Sequence, residues 1–264
     1  VYATMYNRLD FVAANAHQCF GNMAVTLAAD LMGDDMVQTA QGAGWFWKDY
    51  NYDQRSRYTS KIWRCYFTWK YFYEIISNVN YIISASETAT GDENEILCTT
   101  AQAYAAGAFS YFMLIQSFQQ TFVGHEDLPG VPIYTEPTSA SSTGNKRASV
   151  RQVYALIDND LEIAVAMLGK CGIKRKHISN FDLYSTSLLQ ARVALVENDW
   201  GKAVQAAEKA ISTPDASLLT RSDATVTKGT FDDSTTEWTT GKTPFNSVQS
   251  SSVMWGAEII SDQS

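Results

Sequence analysis

KIWRCYFTWKYFYEIISNVNYIISAS, residues 61–86, carries the strongest periodicity in the chain. Ile62, Cys65, Trp69, Phe72, Ile76, Val79 and Ile83 recur at steps of three and four, with Tyr66, Tyr73 and Asn80 alongside. An α-helix turns once every 3.6 residues, so this spacing gathers the apolar side chains on one broad face; a strand would alternate by two. The stretch predicts one long amphipathic helix. Ala89–Glu93 (ATGDE) then reads as a turn, and a second long helix follows over about 93–122. Leu97, Ala101, Ala105, Ala108, Phe112 and Ile115 line one face of it. Gly107 inside that run costs about 1 kcal/mol of helix propensity, so close approach of a neighbouring helix is the expected compensation.

Further towards the C-terminus, 123–147 reads as a connector. Pro129 and Pro132 exclude a helix there, and Thr135–Asn145 is rich in Ser and Thr. Ser149 followed by Gln152 is a capping box that opens a helix through Leu168, with Val153, Ile157, Leu161, Ala164 and Leu168 on one face and Gly169 and Gly172 at its end. Residues 178–196 and 201–212 predict two more helices, separated by the tight turn Asn198-Asp199-Trp200-Gly201 and stopped by Pro214. With Ala203, Ala207 and Ala210 on its second helix, this closing pair looks like a tetratricopeptide-type hairpin.

In the other direction, residues 5–37 read as a helix or helix pair, with Ala24, Leu27, Ala28 and Leu31 at helical spacing and Gly33-Asp34-Asp35 closing it. The stretch 38–58, QTAQGAGWFWKDYNYDQRSRY, fits no period and reads as a loop. The fold class expected is therefore all-α, with a helical body over 1–213 and an irregular tail over 214–264. No periodic element is assigned to 214–252, and Val253–Ile260 could be a short helix or strand.

Composition narrows the function. The net charge of -8 lacks the basic footprint that a phosphate-backbone binder or a polybasic membrane face requires. No run of 18 apolar residues suggests a transmembrane helix. The chain starts at Val1 rather than Met, so a processed or trimmed start is expected, with any export signal or lipid anchor upstream. Cys19, Cys65, Cys98 and Cys171 form no CxxC and have no His at zinc spacing. Three pairings are possible if all four are oxidised; buried free thiols on helices are the expectation. With 7 Trp, 14 Tyr and 12 Phe, some rings are expected to serve a surface rather than a core.

The order of segments resembles the SusD/RagB family of nutrient-binding outer-membrane lipoproteins. The resemblance is carried by the long helix ending in Val79-Asn80-Tyr81-Ile82-Ile83, by AQAYAAGAFSYFMLIQSF (101–118) and by PGVPIYTEPT (129–138). Arg147–Ala164, Ser187–Ala203 and the tail Trp255–Ile260 continue it in order. It implies a SusD-like all-α fold of tetratricopeptide-like hairpins and non-enzymatic binding of an oligosaccharide or other nutrient, with no cofactor. It also implies a lipid-anchored place on the outer-membrane surface and a TonB-dependent outer-membrane transporter as partner. The chain departs from the family in three ways. Gly107 stands where members tend to carry Arg, no lipobox cysteine opens the sequence, and members are nearly twice as long. The chain is thus either a fragment or a form that has lost the second half.

A sugar ring has an apolar C–H face and a rim of hydroxyls, so its site needs a flat ring with amide, carboxylate or guanidinium groups at its edge. Trp45–Arg55 supplies both within one loop, in the place where the family resemblance puts N-terminal ligand residues. Trp47, Tyr50, Asn51 and Arg55 are the first candidates, with Trp45, Asp49 and Tyr52 behind them. The competing reading is that these rings pin the loop to the helical body. Asp232, Asp233, Glu237 and Trp238 match no EF-hand and are expected in a solvated loop. His17, His125 and His177 form no HExxH, no nucleophile elbow is present, and no acid pair is singled out for glycoside hydrolysis. Asn80 is expected to make a helix–helix hydrogen bond and Arg192 to pair with a core carboxylate or a loop carbonyl. A protein–protein scaffold of tetratricopeptide type is the first alternative function, and a carbohydrate-active enzyme the second.

Overall fold

The computed structural model describes residues 2–6, 18–34, 36–53, 63–221, 230–232, 237–239 and 250–256. Along the chain run α1 (Tyr2–Tyr6), α2 (Gly21–Met32), α3 (Trp47–Tyr50), α4 (Trp63–Ser86) and α5 (Glu93–Phe118). Strands β1 (Pro129–Pro132) and β2 (Arg147–Ser149) follow, then α6 (Val150–Cys171), α7 (Leu183–Glu197) and α8 (Trp200–Ile211). Strands β3 (Thr230–Asp232) and β4 (Glu237–Thr239) close the order. His17, Arg55, Ile62, Asp233 and the last part of the tail motif, 257–260, lie outside the described residues.

The helix starts are set by local chemistry. The Asp92 carboxylate accepts from the Asn94 and Glu95 N–H groups, both at 2.9 Å, which opens α5. Ser149 and Gln152 form the capping box of α6, and Asp182 and Ser185 a second one at α7. Between α7 and α8, Asn198 takes the left-handed conformation and Asp199 caps the Lys202 N–H at 3.0 Å. Each cap satisfies backbone donors that the helix cannot satisfy itself, an effect of about 1 kcal/mol. Helix α7 starts at its cap, five residues later than the apolar spacing suggests, and α5 ends at Phe118, where Gln119 turns extended.

Helices α4, α5 and α6 stack side by side, with α7 and α8 as a final hairpin. Helix α5 lies in the middle and is buried almost all round from Ala101 to Ile115. Its small residues permit this: a Cβ on Gly107 would meet Val79 Cγ2 of α4 at 3.3 Å. On α4 the buried stripe is Arg64, Phe67, Thr68, Tyr71, Phe72, Ile75, Ile76, Val79 and Asn80. Cys65 and Tyr66 are exposed, so the stripe is rotated from the one the spacing suggests. The reason is a second neighbour: the Tyr71 hydroxyl donates to the Met5 carbonyl of α1 at 3.3 Å, and Phe67 and Ile75 share that side.

Several expectations change. The connector holds a short antiparallel pair, Pro129 opposite Ser149 and Pro132 opposite Arg147, with the register broken between them. Two prolines hide this pairing from sequence reading, because neither has an N–H to donate. Gly130 permits it, since a Cβ there would lie 3.0 Å from Ile115 Cδ1. The tail contains the hairpin β3–β4, with Asp232 opposite Glu237, while Val253–Gly256 is neither helix nor strand. Residues 47–50, expected as loop, are one helical turn. Cys98 and Cys171 form a disulfide with Cα atoms 5.5 Å apart, and Cys19 and Cys65 are not part of it. Antiparallel packing sets the start of α5 beside the end of α6, a proximity that 73 residues of separation conceal. Asn80 bonds to the connector rather than to another helix, and Arg192 is exposed on α7.

Candidate functional site

The aromatic segment owes its shape to one buried ion pair. Asp49 is 1% exposed and Arg64, near the start of α4, is 6% exposed. Arg64 Nε and Nη2 donate to the two Asp49 oxygens, each at 3.1 Å, and Nη1 donates to the Gln18 carbonyl at 3.0 Å. This fork geometry suits a guanidinium and not an ammonium. The cation lies 4.2 Å from the Trp63 ring centre and 4.9 Å from that of Phe46. Burial and the Asp49 carboxylate push the neighbouring Cys65 thiol up, which keeps it protonated.

Phe46 has φ 55° and Tyr52 φ 56°, left-handed values rare for bulky residues. The structure holds both in place. The Phe46 N–H donates to Gln18 Oε1 at 2.8 Å and its ring packs edge-on against Phe20, 5.9 Å between centres. The Tyr52 N–H donates to the Asp49 carbonyl at 3.0 Å and its hydroxyl to the Met32 carbonyl. The two left-handed residues bracket α3.

The candidate residues therefore separate. Asp49 faces inward and positions the loop. Tyr50 is half-buried against the core, and its ring centre lies 5.9 Å from that of half-buried Trp47. Asn51 is exposed, with Nδ2 donating to the Trp47 carbonyl at 2.8 Å. Trp45 is 51% exposed and Tyr52 40%. Trp45, Asn51 and Tyr52 are thus exposed, Trp47 and Tyr50 are half-buried with their rings together, and Phe46 and Asp49 are buried. Sequence reading missed Arg64 and Gln18, the two residues that fix this arrangement. The signal available was an arginine set among apolar neighbours within a helix.

Other polar centres are self-paired. A cleft of about 570 Å³ beside the disulfide is lined by Lys174, Arg175, Asp182 and Asp215 among others. There Lys174 pairs with Asp215 at 2.8 Å and Arg175 with Asp182 at 3.1 Å. His125 Nδ1 lies 3.0 Å from the Thr121 carbonyl and His177 Nδ1 2.6 Å from Ser179 Oγ. Among the described residues no group of His, Cys, Asp and Glu has the arrangement of a metal site.

A family profile described as SusD-like, starch-binding associating with outer membrane, matches residues 4–181, and the chain belongs to that family. The whole chain superposes on a SusD-like carbohydrate binding protein from Bacteroides vulgatus with TM-score 0.77 and 22% identity, covering 49% of that protein. A SusD superfamily protein from Bacteroides fragilis matches 83% of this chain and 48% of its own, with TM-score 0.65 and 22% identity. A laminarin binding SusD-like protein matches 74% and 45%, with TM-score 0.52 and 21% identity. The chain spans about half the length of each. No curated protein matches the sequence.

Proposed function

We propose that the protein binds an oligosaccharide, without chemistry, at the outer-membrane surface and passes it to a TonB-dependent transporter. The observation that carries this reading is the locked aromatic segment: Trp45 and Tyr52 exposed, Trp47 half-buried, and the exposed Asn51 amide bonded to the Trp47 carbonyl. Rings at a fixed spacing bind sugar faces with little ordering cost, and the Arg64–Asp49 pair supplies that fixity. Arg55 adjoins the segment in sequence and completes the proposed set. The Cys98–Cys171 disulfide supports a place outside the reducing cytoplasm. Two members of the matched fold carry names that state carbohydrate or laminarin binding, which supports the ligand class. The helical body presents a face for the transporter, and a lipid anchor upstream would hold the protein at the membrane.

A scaffold role has its own observation: the outer side of the α7–α8 hairpin exposes Leu195, Trp200, Val204 and Ile211. Binding of a peptide there would leave the aromatic segment unused. Calorimetric titration with maltoheptaose and with laminarihexaose separates the two readings. Trp45→Ala and Trp47→Ala are each expected to weaken binding of the recognised glucan by about tenfold, the loss of one stacked ring. Unchanged affinity in both folded variants would overturn the segment as the site. Absence of binding to a wider panel of glycans would favour the scaffold.

A further inference from the structure

Helix α4 and the connector enclose a second cleft, of about 320 Å³, that shares no residue with the aromatic segment. From Arg64 to Ser77 the distance along α4 is about 20 Å at ~1.5 Å per residue. The wall is built from Trp69, Tyr73 and Tyr134, and its lining includes no charged side chain. The rings are fixed. Trp69 lies 4.9 Å from Tyr73 and stands edge-on to Phe118 at 5.0 Å, while Tyr73 stands edge-on to Tyr134 at 5.9 Å. The Tyr73 hydroxyl donates to the Pro132 carbonyl at 2.7 Å, which ties the floor to the connector.

The polar groups of the cleft are as informative. Asn80 is 6% exposed, and its Nδ2 donates to the Tyr134 carbonyl at 2.9 Å and to the Glu136 carbonyl at 3.2 Å. Both amide protons are thereby spent, the amide cannot flip, and Oδ1 is held as an acceptor at the cleft wall. Trp69, Ser77 and Thr143 line the same space, and the Trp69 indole N–H and the two hydroxyls donate to no described group. One fixed acceptor, one fixed N–H donor and two rotatable hydroxyls around flat rings match a molecule with an apolar face and a hydroxyl rim. None of the lining side chains carries a charge that could pair with an ionised ligand, and Arg147, whose guanidinium stands 5.5 Å from the centre of the Trp69 ring, already donates to the Gly130 carbonyl at 2.7 Å.

We propose that this cleft is a separate binding site for a neutral sugar ring, a mono- or disaccharide unit rather than a long chain. Its volume lies at the small end of the ~300–1,000 Å³ range of ligand pockets. The rings take the C–H face of the sugar, Asn80 Oδ1 accepts from one hydroxyl, and the indole N–H donates to another. The site stands whether or not the 45–53 segment binds glycan.

Saturation-transfer NMR on the full chain with glucose, maltose and laminaribiose tests it, with glucuronate as the charged comparison. At least one neutral sugar is expected to bind, with glucuronate about tenfold weaker. Ser77→Phe, which fills the cleft from a half-buried position, is expected to weaken that sugar by tenfold or more in a Trp47→Ala background, where binding at the 45–53 segment does not mask the result. Trp69→Phe keeps a ring and removes the N–H, with an expected loss of about 3- to 10-fold, so the test survives if Ser77→Phe does not fold. Equal binding of glucuronate, no binding by any neutral sugar, or full binding in folded Ser77→Phe or Trp69→Phe would each overturn the proposal.

Discussion

The helical stack and the aromatic segment are held by different physics. Between α4, α5 and α6, side chains such as Phe72, Ile76, Phe112, Ile157 and Leu161 are fully or almost fully buried, and each contributes on the order of 1.5–3 kcal/mol. The 36–53 segment rests instead on a few directed contacts: the Arg64–Asp49 fork, the Gln18 to Phe46 hydrogen bond and two left-handed residues. Distributed burial tolerates the loss of one member. A directed contact fails as a unit, and in exchange it fixes where the outward rings stand.

The largest effect expected from breaking this contrast is at the ion pair. Arg64→Ala leaves Asp49 buried without its partner, with an expected loss of about 3–5 kcal/mol in urea unfolding and of glycan binding at the segment. Arg64→Met with Asp49→Leu removes both charges and is expected to recover most of the stability. Recovery of stability without recovery of binding would separate the positioning role of the pair from its structural one. If Arg64→Ala loses less than 1 kcal/mol, the segment is held by something other than the fork.

Next comes the disulfide, which ties the outer ends of α5 and α6. Replacing both Cys98 and Cys171 by Ser is expected to cost about 2–4 kcal/mol, because a long loop in the unfolded chain is set free. The loss should appear in denaturant midpoint and leave binding by the 45–53 segment unchanged. Impaired binding would show that the two regions are coupled.

A pH series sharpens the comparison from inside the stack. Burial pushes the Asp160 carboxyl up to about 7. The folded state then holds a proton that the unfolded chain releases near pH 4, so this group's contribution falls as pH rises from about 4 to about 7. Asp160→Asn is expected to be more stable than wild type by roughly 1–3 kcal/mol at pH 8, with the gap closing near pH 4. A gap that widens towards acid would reverse the assignment. Glu197 is raised to about 7 by burial, with Asp158 adding to it, so Glu197→Gln is expected to show the same sign.

What the sequence discloses follows the same division. The long helices, the Ser149–Gln152 box and the Asn198–Gly201 turn are legible because local periodicity and capping chemistry produce them. The buried stripe of α4 differs by part of a turn from the one the spacing suggests, since α1, far away in sequence, meets it at Tyr71, whose hydroxyl bonds to the Met5 carbonyl. The same holds for Cys98 with Cys171, for Asn80 with the connector, and for Arg64 with Asp49. Each depends on a long-range approach that no local pattern encodes. In the aromatic segment the residue types were readable and their directions were not. The left-handed residues Phe46 and Tyr52 flank the helical turn, and nothing in a Trp-Phe-Trp run announces them.

The smallest expected effect tests whether the stack is as tight as its alanines suggest. Gly107→Ala should gain about 1 kcal/mol from helix propensity. Against that, the new Cβ would sit 3.3 Å from Val79 Cγ2, closer than comfortable contact. Val79 is buried and β-branched, with one preferred helical rotamer, so it cannot turn aside; the backbones must part slightly, at a cost typically of 1–3 kcal/mol. The crowding equals or exceeds the gain, and a net loss of about 0–2 kcal/mol is expected. The sign is conditional on Val79. In a Val79→Ala background the crowding disappears, and the same Gly107→Ala change should become stabilising by up to about 1 kcal/mol. A double-mutant cycle by urea unfolding reads this reversal directly. If Gly107→Ala stabilises the wild-type background as well, α4 and α5 have room to spare, and the glycine needs a different explanation from close packing.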